Sequence, residues 1–415
     1  MIEYTCDVAV IGAGPAGLAA AGAAREAGAE RVWLIERDRE PGGILQQCIH
    51  PGFGLAYFNE ELTGPEYAAR FYEKTAALGV HFSFDTTVLA IEEGNVLRCL
   101  SPRGESIVRA KSIVLAMGCR ERTRGNLIIA GSRPAGVITA GAAQRMINIQ
   151  NQMIGNKVLI LGSGDIGMIM ARRLSLEGVK VVGVIEILPY LSGLTRNKLQ
   201  CLDDFGIPLL LSHTVTRVEG YPRVAAVYVA EVDDKRCPIP ETEERIECDT
   251  LLLSVGLIPE NELSRSAGVE LDDVTGGPIV DSDMQTNVPG IFSCGNVLHV
   301  NDLVDHVSVE SEIAGKSAAL YAAGKLSSGS LPIPVRAGHH VRYVCPSLIK
   351  PGEGKATLYF RVTEPAREVA IRVMNGSQVV LERQRPRVNP GEMEEISIPT
   401  QELTGPTLQI DVVSR

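Results

Sequence analysis

The chain has 415 residues, 45% apolar and 22% charged, enough for two or three domains with sizeable cores. A formal net charge of −10 argues against a basic stripe for nucleic acid or adhesion to anionic lipid. No apolar run reaches the roughly 20 residues that a membrane span needs. Nine cysteines, Cys6, Cys48, Cys99, Cys119, Cys201, Cys237, Cys248, Cys294 and Cys345, form no CxxC and no metal-ligand spacing, the pattern of reduced thiols in a cytoplasmic protein.

In chain order, residues 6–17 read CDVAVIGAGPAG. An apolar strand, Val8–Ile11, runs into a glycine turn. Gly12 permits the tight turn, Gly14 lets the backbone approach a pyrophosphate, and Gly17 lets the following helix, opened by Pro15 and Ala16, pack on the sheet. The helix N-terminus presents free N–H groups and a positive dipole end to phosphates. The small apolar run Ala13–Ala24 imitates a secretory leader, but acidic residues precede it and Arg25 and Glu26 follow at once. A second strand, Val32–Ile35, ends at Glu36, about 20 residues past the motif, where a carboxylate accepts hydrogen bonds from ribose hydroxyls. The short run Arg120, Arg122 and Arg124 reads as solvated surface.

The same unit then recurs. Residues 156–167 read NKVLILGSGDIG, with strand Val158–Leu161, glycines Gly162, Gly164 and Gly167, helix-opening Asp165 and Ile166, and a strand Val181–Ile185 ending at Glu186. From Gly12 to Gly162, Gly17 to Gly167 and Glu36 to Glu186 the offset is a constant 150 residues. A lone GxGxxG is weak, but two copies with strand, helix and acid in register predict two dinucleotide-binding lobes. Further on, a helix is expected from Asp305–Ser308 through Leu320. Leu326–Pro334 (LSSGSLPIP) reads as a linker. Period-2 alternation follows in Ala356, Leu358, Phe360 and Val362, in Val369, Ile371 and Val373, and in Leu408, Ile410 and Val412, which predicts a β-sandwich-like domain of about 80 residues. His299, His339 and His340 lack ligand-like spacing, so no metal site is expected.

Over residues 1 to about 331 these motifs resemble the two-dinucleotide-binding flavoproteins of the pyridine nucleotide-disulfide oxidoreductase superfamily, in its thioredoxin-reductase-like branch. The resemblance implies FAD in the first lobe, on Gly12, Gly14, Pro15, Ala16, Gly17, Glu36, Arg37 and Gly43. It implies NAD in the second, on Gly162, Gly164, Asp165, Ile166, Gly167, Glu186 and Gly256. Ser112–Gly118 (SIVLAMG) and Thr250–Asn261 (TLLLSVGLIPEN) are similar to the family's strand-to-glycine turns. Thr286–Val297 (TNVPGIFSCGNV) resembles the second FAD motif, which would bring Gly118, Gly295, Asn296 and Val307 to the flavin. The family usually has Asp where this chain has Asn296, which keeps a carbonyl acceptor without the charge. The helix near residue 305 would aim its N-terminus at the flavin ring and favour the anionic reduced form.

The resemblance also shows what is missing. Gly42–Cys48 carries one cysteine without the family's second, and GVITAGAAQ (136–144) carries none, so an internal redox dithiol is not expected. Gln47, Cys48 and His50 flank the implied flavin face and are the catalytic candidates, although Cys48, lacking a resolving partner, reads more readily as a small buried hydrophobe. His306 is a candidate by position only. At the second lobe Glu186 would repel a 2′-phosphate, and no Arg or Lys follows it through Leu194, which favours NAD(H) over NADP(H); ADP and ATP present the same ribose and stay open.

RPAGVITAGAAQRMIN (133–148), LTRNKLQCLDDFGIP and GNVLHVNDLVD are similar to a narrower group. These are dithiol-lacking bacterial FAD/NAD-linked subunits that accompany glycerol-3-phosphate dehydrogenase-like and amine dehydrogenase flavoproteins. That likeness implies electron relay between NAD(H), FAD and a flavoprotein dehydrogenase or iron–sulfur partner subunit, and is compatible with an oligomer.

The expected fold class is α/β: two Rossmann-like lobes, the second inserted in the first, plus a small C-terminal all-β domain. The expected segments are 1–120 (FAD, first part), 121–256 (NAD), 257–331 (FAD, second part) and 332–415 (β domain). Two other functions fit the same residues: a peroxide-forming NADH oxidase, and a non-catalytic FAD- or adenine-nucleotide-binding subunit of a dehydrogenase complex.

Overall fold

The computed structural model describes residues 2–326, 331–352, 354–401 and 403–414; of the expected linker, residues 327–330 lie outside them. The first strand, Ile2–Ile11, starts well before the apolar Val8–Ile11. Its polar half is strand because it runs parallel to Gly104–Leu115, from Ile2 opposite Ser106 to Ile11 opposite Leu115. There the backbone's own hydrogen-bonding groups set the conformation, not side-chain burial. The sheet order is His81–Ser83, Val32–Ile35, Ile2–Ile11, Gly104–Leu115, Val96–Ser101 and Thr87–Glu92, and Ile291–Ser293 joins the last residues of Gly104–Leu115 in parallel. The chain therefore returns to this sheet after leaving it for the inserted lobe.

The alanine-rich helix Pro15–Glu26 is buried along nearly its whole length. It packs on helix Val304–Ala322, where a Cβ at Gly315 would overlap the Ala20 carbonyl. Only small residues let two helix backbones come so close.

The inserted lobe has a five-stranded, wholly parallel sheet in the order Val137–Thr139, Thr250–Leu253, Lys157–Leu161, Lys180–Glu186 and Leu209–Leu211. Alternate residues of its central strand enter different cores. Val158 and Ile160 face helices Ala140–Asn148 and Asp165–Leu176. Leu159 and Leu161 face an antiparallel sheet that includes His213–Glu219 and Ala226–Glu231. A continuous apolar run is what a parallel strand covered on both faces requires.

The C-terminal strands form a five-stranded and a three-stranded sheet around one apolar core. All ten alternating residues singled out in the sequence are buried in it. By backbone contacts the chain forms two compact units, Met1–Cys119 with Pro259–Arg415, and Arg120–Ile258, so the C-terminal strands share a unit with the first lobe. No helix among the described residues is long and apolar enough to cross a membrane.

The C-terminal strands are tied to the first lobe by charge as well as by packing. Lys350 Nζ donates to Asp281 Oδ2 at 2.6 Å and to Asp283 Oδ2 at 2.8 Å, and its backbone N–H donates to Ser282 Oγ at 3.1 Å. Asp281 is buried, and burial holds its carboxyl above the usual range. Lys350→Met should leave that carboxyl without its cation, cost about 3 kcal/mol and lower the thermal midpoint by several degrees. An unchanged midpoint in calorimetry would mean that apolar packing alone holds the C-terminal strands.

Candidate functional site

The first glycine turn is built from contacts that exclude side chains, except at one point. Gly12 has φ +102°, and a Cβ there would lie 2.5 Å from the Ala116 carbonyl oxygen. A Cβ at Gly17 would overlap the Gly12 carbonyl. At Gly14, by contrast, φ is −69°, and a Cβ would meet nothing within 4 Å. Gly14 also caps helix Pro15–Glu26 without any side-chain hydrogen bond. The helix's first N–H groups therefore open onto free space, which is the cradle an anion needs.

Several elements converge on this point. Gly43 (φ +53°) starts a 3-10 turn over Gly43–Gln47, and its Cβ would lie 3.2 Å from Gly14 Cα. A Cβ at Gly295 would lie 2.7 Å from Ala16 and 3.3 Å from Val307. Glu36 is buried; its Oε2 accepts from Ala13 N–H at 2.6 Å and its Oε1 from Asp38 N–H at 2.8 Å. Arg37 is exposed. Asn296 spends its amide on the chain itself: Oδ1 accepts from Asn301 N–H at 3.0 Å and Nδ2 donates to Cys119 Sγ at 3.7 Å. That contact brings the turn at Gly118 (φ +72°) beside the second motif. An open cradle, an uncapped helix end and a buried carboxylate fit a dinucleotide such as FAD.

Gln47, Cys48 and His50 follow on from Gly43. Gln47 is buried, and the His50 ring lies 5.1 Å from that of Phe53. Cys48 Sγ donates to the Ile44 carbonyl at 3.3 Å, and burial pushes its thiol up to about 12. A thiol held so far above neutrality is not a nucleophile near pH 7. None of the nine cysteines is joined to another.

Two residues in this lobe pair in a way the sequence did not show. His299 and Glu310 are fully buried. Glu310 Oε1 accepts from Gly295 N–H at 2.6 Å, and its Oε2 lies 2.6 Å from His299 Nε2. Glu310 thus fixes the turn at Gly295 from below. The sequence signal was an acid in the middle of helix Val304–Ala322, flanked by the buried Val307, Ser308, Ser311 and Ala314.

The second lobe repeats the turn. Gly162 has φ +101° and Gly256 φ +97°. The Cβ position of Gly167 lies 2.7 Å from Ser254 Cβ, whereas that of Gly164 has only ordinary contacts. Ile166 packs against the helix-side core. Asp165 Oδ1 accepts from Leu194 N–H at 2.8 Å and from Asn197 Nδ2 at 2.6 Å. Buried Glu186 accepts from Ser163 N–H at 2.9 Å, Ser163 Oγ at 2.6 Å and Ser192 Oγ at 2.9 Å on Oε2, and from Leu188 N–H at 3.0 Å on Oε1. Ser163 and Ser192 were not among the sequence candidates. Extending the 150-residue register past the acids would have found Ser192, which stands opposite Gly42.

Fold and turns together define a flavin- and nucleotide-binding oxidoreductase class, and the chain belongs to the pyridine nucleotide-disulphide oxidoreductase family, which it matches over residues 6–322. Membership implies FAD and a pyridine nucleotide as cofactors. Among curated relatives, the chain is 27% identical over 342 residues to an opine oxidase subunit of Agrobacterium tumefaciens (strain Ach5), covering 77% of this chain and 66% of that protein. It is 27% identical over 274 residues to the alpha subunit of sarcosine oxidase from Corynebacterium sp. (strain U-96), covering 62% and 27%. The chain thus spans about two thirds of the first relative and about a quarter of the second. T. acidophilum thioredoxin reductase has the same fold, with TM-score 0.64 and 24% identity over 78% of this chain and 99% of that one.

Gly14→Ala separates structure from ligand binding. The Cβ meets no protein atom, so the variant should fold with an unchanged circular dichroism spectrum yet purify with little flavin, while Gly12→Ala should fail to fold. Full flavin content in Gly14→Ala would remove the cradle from this site. Alkylation with N-ethylmaleimide at pH 8, read by peptide mass, should modify exposed Cys237 long before Cys48, whose thiolate forms only as the pH approaches about 12. Equal rates would overturn the view of Cys48 as a neutral packing thiol.

Proposed function

We propose that this chain is a flavin-dependent oxidoreductase that passes electrons between NAD(H) and a partner subunit without a redox disulfide. Residues 1–120 and 257–331 would hold FAD, residues 121–256 would hold NAD(H), and residues 332–415 would serve packing or partner contact. The observation that carries this reading is the duplicated glycine turn over a buried carboxylate, open and uncapped at Gly14, in a chain whose cysteines form no dithiol.

Bound FAD supplies two-electron chemistry, taking a hydride and returning electrons to an acceptor. The chain's own residues do the rest. Gly12, Gly14, Pro15, Ala16, Gly17 and Gly43 shape the pyrophosphate cradle, and Glu36, with Arg37 beside it, meets the ribose. Gly118, Gly295, Asn296 and Val307 line the second motif, with Glu310 and His299 bracing Gly295. Gln47, Cys48 and His50 stand on the turn after Gly43. The neutral Cys48 thiol packs there; it does not attack.

In the second lobe Gly162, Gly164, Asp165, Ile166, Gly167 and Gly256 shape the turn. Glu186 disfavours a 2′-phosphate, and residues 187–194 hold no Lys or Arg to attract one, so NAD(H) is the ligand. The relatives' names as oxidase subunits support a partner subunit; the proposal that it is of the glycerol-3-phosphate dehydrogenase-like or amine dehydrogenase kind, or an iron–sulfur protein, rests on the sequence likeness alone. Nine reduced thiols suit a cytoplasmic setting. A second reading is a regulatory ADP or ATP site, because both present the same ribose diol to Glu186 as NAD(H) does.

In an anaerobic titration of the flavin-loaded protein, NADH should bleach the flavin band near-stoichiometrically and NADPH far less. Bleaching by neither would sink the NAD(H)-linked reading, and a retained ADP or ATP would then support the second. Glu186→Arg should weaken NADH binding at least about tenfold, through loss of charge-assisted hydrogen bonds, and spare flavin content. Dye reduction that outpaces aerobic peroxide formation by the isolated chain fits partner relay, whereas peroxide formation as fast as flavin reduction would make it an oxidase.

A further inference from the structure

The two lobes use one backbone solution at the ribose carboxylate, so their differences are informative. Ala13 N–H and Asp38 N–H bind Glu36. At the same 150-residue offset Ser163 N–H and Leu188 N–H bind Glu186. The backbone contacts match, and the side chains do not: Ala13 becomes Ser163 and Gly42 becomes Ser192. Both hydroxyls donate to Glu186 Oε2, at 2.6 and 2.9 Å. The two oxygens lie 3.0 Å apart, and Ser192 N–H donates to Ser163 Oγ at 3.0 Å.

A carboxylate offers about four lone-pair sites. Glu36 has two protein donors and room for a diol. Glu186 has four, and three of them crowd Oε2, which has no site left for a ribose hydroxyl, while one sits on Oε1. Two hydroxyls on one carboxylate are also the contact that a ribose 2′,3′-diol makes. The segment that carries Ser192 continues over the phosphate side: the Cβ position of Gly193 lies 2.8 Å from Asp165 Oδ1 and 2.9 Å from Asp165 N, and Leu194 N–H is held by Asp165.

We infer that Ser192, with Ser163, is a built-in substitute for the ribose diol that latches residues 188–194 across the second lobe's nucleotide turn. This rests on the proposed nucleotide role of that lobe. A nucleotide with a free 2′,3′-diol must displace the Ser192 hydroxyl from Glu186, so Ser192 sets the lobe's affinity, and binding releases the segment. Ser163 belongs to the glycine turn itself and stays, which makes Ser192 the displaceable partner. In lobe one Gly42 has no side chain to displace, so the same latch cannot form there.

The test is calorimetric titration of flavin-loaded protein with NADH, ADP-ribose and NADPH. Ser192→Ala removes one hydrogen bond to a charged acceptor from the free state only, so NADH and ADP-ribose should bind about tenfold tighter. Ser192→Gly, which copies lobe one, should do the same and guards against a folding defect peculiar to one variant. NADPH should gain nothing, because its 2′-hydroxyl is a phosphate, and flavin content should not change. Hydrogen exchange of residues 188–194 should rise when NADH binds the unmodified protein. Unchanged or weaker binding of NADH and ADP-ribose by both variants would overturn the latch, weaker binding marking Ser192 as a direct ligand. Binding of no nucleotide by parent or variants would instead overturn the nucleotide role of the lobe, and the latch with it.

Discussion

A buried helix whose first N–H groups have no partner among the described residues is the constraint on which the first lobe depends. Helix Pro15–Glu26 is covered along its length, yet its start at Gly14 opens onto free space. Each uncompensated N–H there has a desolvation cost, and together they make a concentrated positive end. The surrounding chain keeps this end open. Gly12 and Gly17 close the turn from beneath, Gly43 and Gly295 approach from the sides, and Glu310 holds Gly295 in position. The alanine face that meets Gly315 then seats the helix against Val304–Ala322. Gly14 alone of these glycines meets no protein atom where a Cβ would stand, so its smallness is the one that only a ligand's approach explains.

The second lobe shows the same frame under a different load. Its turn glycines, its acid and its two backbone donors repeat the first lobe, but hydroxyls fill the carboxylate. A buried carboxylate without donors is costly, and the lobes meet that cost differently. Glu36 keeps half its capacity for a ligand, whereas Glu186 is satisfied by the chain. A lobe that is complete without its ligand is stable without it. A lobe that leaves capacity open favours permanent occupancy. The contrast agrees with a tightly held flavin in one lobe and an exchangeable nucleotide in the other.

The frame was legible in the sequence because it is written in local patterns. Strand, glycine turn, helix and acid sit within about 30 residues, and the C-terminal alternation from Ala356 to Val412 gave the buried face of the sandwich. What the sequence did not show depends on contacts between distant residues. Strand Ile2–Ile11 extends through polar residues because a partner strand just over a hundred residues on in the chain pairs with it. The His299–Glu310 pair and the Lys350–Asp281 tie are polar contacts that no periodicity encodes, whereas Ser192 could have been found from the 150-residue repeat. Asn296 was legible as a departure from the family pattern, but its engagement by Asn301 and Cys119 was not, since that depends on how two loops meet.

The fate of the cysteines bears on how the electrons leave. Burial holds Cys6, Cys48, Cys99, Cys201, Cys248, Cys294 and Cys345 in the thiol form, and none of the nine is joined to another. A dithiol relay needs a thiolate and a resolving partner, and these seven thiols provide neither. A flavin held in this lobe would therefore have no joined cysteine pair among the described residues to pass electrons to. The C-terminal strands are anchored close to the second motif. Arg361 binds the Val300 carbonyl at 3.2 Å and Met393 N–H binds Asp302 at 3.1 Å, within a few residues of Asn296. These part-buried polar contacts, together with Lys350 on Asp281 and Asp283, hold the C-terminal strands beside the second glycine motif of the first lobe.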